Sequence, residues 1–191
     1  MEKNTERLNT DINPTIFING ELSGPDVIHR TKHLDQLEGV FKDKDAFNQM
    51  NGKEIVYEVD AFQPIEEGTE GGLFFGLTYL YPGTVGNEYF MTQGHYHKKG
   101  NRSEYYWGIE GEGILLLMDK KGKTWSENIS PGSLHYIPGF TAHRVINTGS
   151  KILHFGACWP SDAGYNYDAI KTEGFGIQVK KINNKPVLIQ K

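Results

Sequence analysis

The sequence predicts an all-β fold, a sandwich or closed barrel, on three observations. Glycine is abundant, at 23 of 191 residues, and aromatic residues reach 12%. From residue 54 onward, short runs rich in β-branched and aromatic residues recur between Gly, Pro, Asn and Asp, the pattern of strands joined by turns. Such barrels carry small sites in their interior, lined by alternate residues of several strands.

Taken in order, residues 1–20 read as an extended arm with one short strand at 15–18. Residues 31–38 (TKHLDQLE) and 44–50 have helical composition, with Thr31 and Asp43 as N-caps and Gly39 and Gly52 as stops. The strands then follow as IVYEVDAF, FFGLTYLY, YFMTQGHYH, SEYYWGIEG, GILLLMD, TWSENI, LHYIP, HRVINTG, ILHFGACW and FGIQVKKIN. PGTVGN, DKKGKT and NTGSK read as hairpin-type turns. No internal repeat or low-complexity linker interrupts the chain, so 1–191 reads as one domain, with arm and short helices over 1–52 and the barrel over 53–191.

Composition narrows the function classes. Charged residues are 23%, hydrophobic ones 37%, and the net charge is -4, so there is no basic footprint for nucleic acid. The longest apolar run, residues 114–118, is far too short for a bilayer span, and the charged N-terminus lacks a signal core. The single cysteine, Cys158, has no internal partner and fits a reducing cytoplasm, packed as a small apolar residue.

The chemistry is concentrated in residues 91–113, MTQGHYHKKGNRSEYYWGIEGEG. His95 and His97 are two apart and share one face of a strand. Gly100-Asn101 reads as the hairpin turn that brings Glu104 back over the same pocket. His143 supplies a further ligand from PGSLHYIPGFTAHRVIN. Three imidazoles and a carboxylate form a mixed N/O set that leaves positions open on an octahedral divalent metal, the donor chemistry of a catalytic site. Beside Glu104, Tyr106 and Gly108 should face inward while Tyr105 and Trp107 face out. Gly94 can bend the strand so that its N–H and the Thr92 hydroxyl line the rim.

These segments resemble the two motifs of the cupin superfamily. His95, His97, Glu104 and Gly111 match the first; Gly132, Pro138, His143 and Asn147 match the second. Within cupins, the chain resembles the cupin-type glucose-6-phosphate isomerases along nearly its whole length. The matching stretches are VYEV near Tyr57, LTYLYPGTVGNEYFMTQGHYH, EYYWGIEGEG, the IPGFTAHRVIN block and WPSDAGYNYDAI. It differs from well-known members at Phe140, Trp159 and Tyr165, where those have Tyr, Tyr and His at the pocket rim.

The resemblance implies a cupin jelly-roll homodimer acting on a sugar phosphate, with one divalent metal per subunit. Fe2+ is the first expectation, with Mn2+, Ni2+ or Zn2+ as alternatives. The implied ligands are His95, His97, Glu104 and His143, with Glu104 also the proton-transfer base and Tyr106 beside the sugar chain. Tyr57, Thr78, Thr92, Gly94 and Tyr167 would hold the substrate, its phosphate end first. Two other readings stay open: a cupin dioxygenase or decarboxylase acting on a small acid, and a non-catalytic sugar-binding cupin.

Outside the motifs, His29 and His33 read as surface residues, and His135 and His154 as packed or hydrogen-bonded strand residues. Lys98, Lys99 and Arg102 read as a solvated turn.

Overall fold

A computed structural model describes residues 14–171 and 174–190. The strands in chain order are β1 (Ile16–Ile18), β2 (Glu21–Ser23), β3 (Val27–His33), β4 (Ile55–Phe62), β5 (Leu73–Leu80), β6 (Thr84–Val85), β7 (Glu88–Tyr89), β8 (Tyr96–His97) and β9 (Glu104–Glu110). They continue as β10 (Gly113–Met118), β11 (Thr124–Ile129), β12 (Leu134–Ile137), β13 (Ala142–Asn147), β14 (Leu153–Pro160), β15 (Tyr165–Asn166), β16 (Ile177–Ile182) and β17 (Lys185–Gln190). The helices are short, α1 (Lys44–Gln49) and α2 (Asp168–Lys171), with a 3-10 turn over Leu34–Leu37. The all-β expectation holds.

A six-stranded sheet in the order β12-β9-β14-β5-β4-β3 carries one wall, and β11-β10-β13 the other. Their inner faces share one apolar cluster, in which Leu80, Tyr106, Phe155 and Ala157 meet Leu115, Leu117 and Val145. β10 is buried at every position. Its second face, Ile114 and Leu116, joins the same cluster as Phe175 and Val179 near the C-terminus. Burial on both faces explains why it reads as an unbroken apolar run rather than an alternating one.

Several local expectations need correction. Residues 31–33 end strand β3 rather than start a helix, and the N-cap of the following turn is His33. The Gln36 side chain accepts the His33 N–H at 2.8 Å. Asp43 does cap α1, accepting from the Ala46 N–H at 2.9 Å. The 99–102 segment closes a turn, with the Arg102 N–H donating to the Lys99 carbonyl at 3.1 Å. It is not a β-hairpin, because β8 pairs with β15 and β9 pairs with β12 and β14. Nor does NTGSK join paired strands: β13 pairs with β10, whereas β14 pairs with β5 and β9. That turn carries the chain from one wall to the other. Cys158 is only half-buried, on the opposite face from buried Ala157.

Much of the expected arm lies outside the described residues. The described part is a β1–β2 hairpin whose Phe17 ring packs at 5.3 Å from Phe75. Asn19 and Gly20 both have positive φ, as a two-residue type I′ turn requires.

Asn147 fixes the crossover. It is fully buried, and its Nδ2 donates to the Leu80 and Lys151 carbonyls, both at 2.8 Å, while its Oδ1 accepts the Gly149 N–H at 3.0 Å. Asn147→Ala leaves these groups unpaired at the junction of both walls and should cost about 2–4 kcal/mol. Urea unfolding, with the midpoint falling at unchanged slope, checks this.

Candidate metal centre

His95, His97, Glu104 and His143 converge, with one candidate ligand atom from each lying within 4.8 Å of all the others. Local contacts position them. His95 and His143 form an isolated antiparallel bridge: the His95 N–H donates to the His143 carbonyl at 3.2 Å, and the His143 N–H to the His95 carbonyl at 3.1 Å. Their rings lie 4.4 Å apart. His97 Nδ1 is 2.8 Å from the Arg102 carbonyl oxygen. Donating there fixes the tautomer that aims Nε2 into the site, as outer hydrogen bonds do for metal-bound imidazoles. Glu104 opens β9 and, with Tyr106 and Gly108, points inward, while Tyr105 is exposed.

Glu104 Oε1 lies 2.7 Å from His143 Nε2 and 3.2 Å from His97 Nε2. Yet Glu104 Oε1 and His143 Nε2 are both buried and without a hydrogen-bond partner. Lone pairs brought together in this way suit a shared cation. Neighbouring donors about 2.1 Å from an octahedral ion lie about 3.0 Å apart, a value that falls between the two separations. The donor set therefore fits a divalent metal.

The charges of these groups are coupled. Burial and the neighbouring His143 hold His95 well below the usual imidazole range, so it is neutral at pH 7. For His97 burial pulls down, but the Glu104 carboxylate and the Arg102 carbonyl outweigh it and raise the pKa. Burial would raise Glu104, but His143 and His97 together hold it well below the carboxylate range, so it stays ionised. Burial raises the Tyr106 phenol far above its usual value, with Glu104 adding to the effect. It remains a hydrogen-bond donor.

These residues open on a cavity of about 400 Å³. It is lined by every expected site residue, including Tyr57, Thr78, Thr92, Gly94, Tyr106 and Tyr167. Tyr106 stands 5.6 Å from the His143 ring, edge to face. The rings of Tyr165 and Tyr167 stack at 5.8 Å, and Tyr165 lies 4.8 Å from His95. Gly94 has φ +73, and a Cβ there would meet Arg144 Nε at 2.9 Å and the His143 carbonyl at 3.1 Å. The Thr92 hydroxyl accepts the Val145 N–H at 3.0 Å.

The rim departures separate in space. Trp159 and Tyr165 line the cavity. Phe140 does not: it packs over Gly100 and beneath the Lys120 ammonium, 4.2 Å from the ring centroid. The turn before Glu104 is also more than solvated surface. Asp162, with only 5% of its side chain exposed, takes Arg102 at 2.8 and 2.7 Å and Lys99 at 2.7 Å. Asp162 thereby braces the long connection between His97 and Glu104. Sequence reasoning missed Arg30, Lys32 and Glu67, which line the cavity too.

The remaining histidines are as expected or nearly so. His29 is exposed, though its Nδ1 meets Asp60 at 2.7 Å. His33 Nδ1 meets the Lys53 carbonyl at 2.9 Å. His135 meets Glu127 at 2.7 Å, and His154 stacks on Tyr79 at 4.3 Å.

Comparison with known proteins gives the family. The profile of the glucose-6-phosphate isomerase family (GPI) matches residues 31–191. Glucose-6-phosphate isomerase from Thermococcus litoralis is 43% identical over 159 residues, covering 82% of this chain and 83% of the relative. The Sinorhizobium medicae enzyme of the same name is 36% identical over 156 residues, covering 80% and 72%. Among solved structures, Bacillus subtilis oxalate decarboxylase at pH 4.6 aligns with a TM-score of 0.44 and 21% identity, over 57% of this chain and 26% of that one. The chain belongs to the glucose-6-phosphate isomerase family.

Removing one imidazole should release the metal. His95→Ala and His143→Ala should each weaken binding beyond the roughly 10–100-fold that outer-shell changes cost, read as metal content after dialysis. Unchanged content would show that the donor set is wrong. Binding requires unprotonated imidazoles. Because the pKa of His97 is raised, affinity should climb with pH through that raised range and level off above it, while neutral His95 contributes little to the slope. Titrations from pH 5 to pH 8, at about one-unit spacing around the ordinary value near 6.5, check this.

Proposed function

We propose that the cavity interconverts glucose 6-phosphate and fructose 6-phosphate with one divalent metal held by His95, His97, Glu104 and His143. Family membership supports the isomerase activity. The observation that carries the metal dependence is the buried Glu104 oxygen, facing two imidazole nitrogens without a hydrogen bond to either. Iron(II) is the first candidate, and manganese, nickel or zinc also suit three nitrogens and one oxygen. Bound there, the cation would supply Lewis-acid stabilisation of the charge that grows on the sugar O1 and O2.

The protein groups then have separate tasks. Glu104 is ionised and takes the C2 proton of the open-chain aldose and returns it to C1 of the resulting enediolate, while the O2 hydroxyl proton passes to O1. Its depressed basicity works against this step, so the C2 proton must be acidified by polarisation of the neighbouring carbonyl. Tyr106, kept protonated by burial, donates to the sugar oxygens. Tyr57, Thr78, Thr92, Gly94 and Tyr167 offer hydroxyls and a main-chain N–H to the rest of the substrate, its phosphate end first. The stacked Tyr165 and Tyr167 stand beside His95 on the substrate side of the centre.

We further propose that residues 1–191 act as a single domain in the cytoplasm, as a homodimer. Exposed Leu73, Tyr105, Leu134 and Tyr136 give the outer face of the six-stranded sheet an apolar character that supports such pairing. Sedimentation should then give twice the chain mass. Retention of all four candidate ligands runs against a non-catalytic sugar binder, and the named relatives run against a dioxygenase or decarboxylase.

Chelation should abolish isomerisation of glucose 6-phosphate, and divalent metal should restore it. In metal-reloaded protein, Glu104→Gln should lower kcat by about 10²–10⁴, Tyr106→Phe should cost less, and tritium at C2 should exchange into water in the parent. Near-parent turnover of metal-loaded Glu104→Gln, or tritium passing wholly from C2 to C1, would assign the step to a hydride shift instead.

A further inference from the structure

The cavity holds two cations to which no role has been given. Arg30 and Lys32 alternate on β3 and both line the same space as the candidate metal ligands. The registers place them in order. Arg30 stands opposite Val59 and Val59 opposite Thr78, while Lys32 stands opposite Tyr57. Each cation therefore shares a cross-strand row with one of the hydroxyl residues, Thr78 or Tyr57.

The charges on these strands are sorted by face. Glu58 and Asp60, on β4, turn the other way and are engaged there. Asp60 meets His29 at 2.7 Å, and Glu58 accepts from Tyr81 at 2.8 Å and from Thr31 at 3.4 Å. Among the described residues, neither Arg30 nor Lys32 has a carboxylate within ion-pair distance. Arg30 also lines the cavity together with Tyr165 and Tyr167. Burial raises the Tyr165 and Tyr167 phenols, and the nearby charge of Arg30 pulls both the other way. Glu67 lines the cavity as well and opposes an anion. Glu104 is committed to the metal, so two cations face one uncommitted carboxylate.

A phosphate monoester carries about −1.5 to −2 charge at neutral pH. Thr78, Thr92, Tyr57 and the Gly94 N–H can orient its oxygens but cannot neutralise it. Charge-assisted bonds are roughly twice as strong as neutral ones, and the planar fork of Arg matches phosphate geometry.

We propose that Arg30 and Lys32 are the charge clamp for the phosphate end of the substrate and set the preference for a phosphorylated over a free sugar. This rests on the isomerase reading of the cavity. Arg30 lies just before the stretch matched by the family profile, which begins at residue 31. The competing role is structural. β3 ends the six-stranded sheet, and inward-pointing charges are a common guard against edge-to-edge pairing.

The test uses metal-loaded full-length protein, Arg30→Gln, Lys32→Gln and the double variant. Two readouts are taken: steady-state kcat and KM on glucose 6-phosphate, and Trp fluorescence titrations with glucose 6-phosphate, glucose and inorganic phosphate. Trp159 lines the cavity and serves as reporter. Each single change should weaken glucose 6-phosphate and inorganic phosphate binding about tenfold or more, and the double change about a hundredfold, the usual worth of charged hydrogen bonds. Glucose binding and metal content should hold, and the kinetic loss should fall on KM rather than kcat. Added salt should shrink the effect of exposed Arg30. If the parent does not isomerise but its phosphate preference still depends on these two residues, the clamp stands and the isomerase reading falls. If the double variant keeps the parent preference, or the parent has none, the clamp is wrong. Self-association of a variant that keeps the preference would assign the pair to edge protection.

Discussion

A carboxylate oxygen buried against two imidazole nitrogens, with the oxygen and one of the nitrogens left without a hydrogen-bond partner, is the constraint around which the structure is arranged. Glu104 Oε1 and His143 Nε2 have no partner of their own. Left alone, such a cluster would carry the cost of several desolvated polar atoms, each worth about 1–3 kcal/mol. The fold holds the groups in place all the same. The His95–His143 bridge joins two ligands through mutual main-chain hydrogen bonds. The Arg102 carbonyl holds His97, and Asp162 in turn clamps Arg102 with a two-pronged contact. Asn147 then ties the end of β13, four residues beyond His143, to the end of β5. A cation at the centre would convert the unsatisfied cluster into a satisfied one, and metal affinity and local stability would then be expressions of one geometry.

The sequence makes most of this legible because ligand chemistry is carried by residue type and spacing. The His95-x-His97 spacing, Glu104 beyond a turn and His143 in a second motif are readable without coordinates, although the strand expected over 89–97 is broken and His95 lies outside β8, in its bridge to His143. So are β4 and β11, whose alternating and β-branched residues match the observed bounds, Ile55–Phe62 and Thr124–Ile129, residue for residue. What stayed hidden depended on pairing. VIHRTKH is ambiguous between helix and strand because it is short and polar. Its β-branched Val27, Ile28 and Thr31 were the available signal, and missing it hid Arg30 and Lys32. Asn19-Gly20 is a strong hairpin signal that the reading of an extended arm passed over. The two positive-φ asparagines, Asn183 and Asn184, similarly announce the β16–β17 hairpin. By contrast, nothing local in NTGSK tells whether its flanking strands pair with each other or with other walls of the barrel.

The departures at the rim show the same limit. Phe140, Trp159 and Tyr165 look equivalent as substitutions in a line of text. In space, Phe140 leaves the cavity and covers Gly100 in the turn before Glu104, with Lys120 above its ring. Its φ of 62 places it in the left-handed region, where a side chain needs a compensating contact. Trp159 instead lies over Gly76, at a position where a Cβ would touch its ring at 2.9 Å, so the missing side chain on β5 makes room for a larger one on β14. The change therefore alters the surface of the cavity without reaching the four candidate metal donors.

The Gln93–Gly94 corner connects this centre to the rest of the molecule. It is shared with a second cavity of about 730 Å³ walled by the C-terminal segment. Arg144 underlies it, donating to the Gln93 carbonyl at 2.6 Å and lying 4.9 Å from the Phe175 ring centroid. Burial lowers the Arg144 pKa to about 10, with Glu88 acting against the fall. At neutral pH that value still leaves the guanidinium charged, so the cost of burial is borne as position rather than relieved by deprotonation. A neutral residue at 144 would lose the bond to Gln93. A residue larger than glycine at 94 would collide with the arginine. The left-handed turn, the buried cation and the aromatic ring near it thus form one unit that sets where the Gly94 N–H points. Through Gly94, the packing around Phe175 in the C-terminal half reaches the rim of the site, one residue from His95.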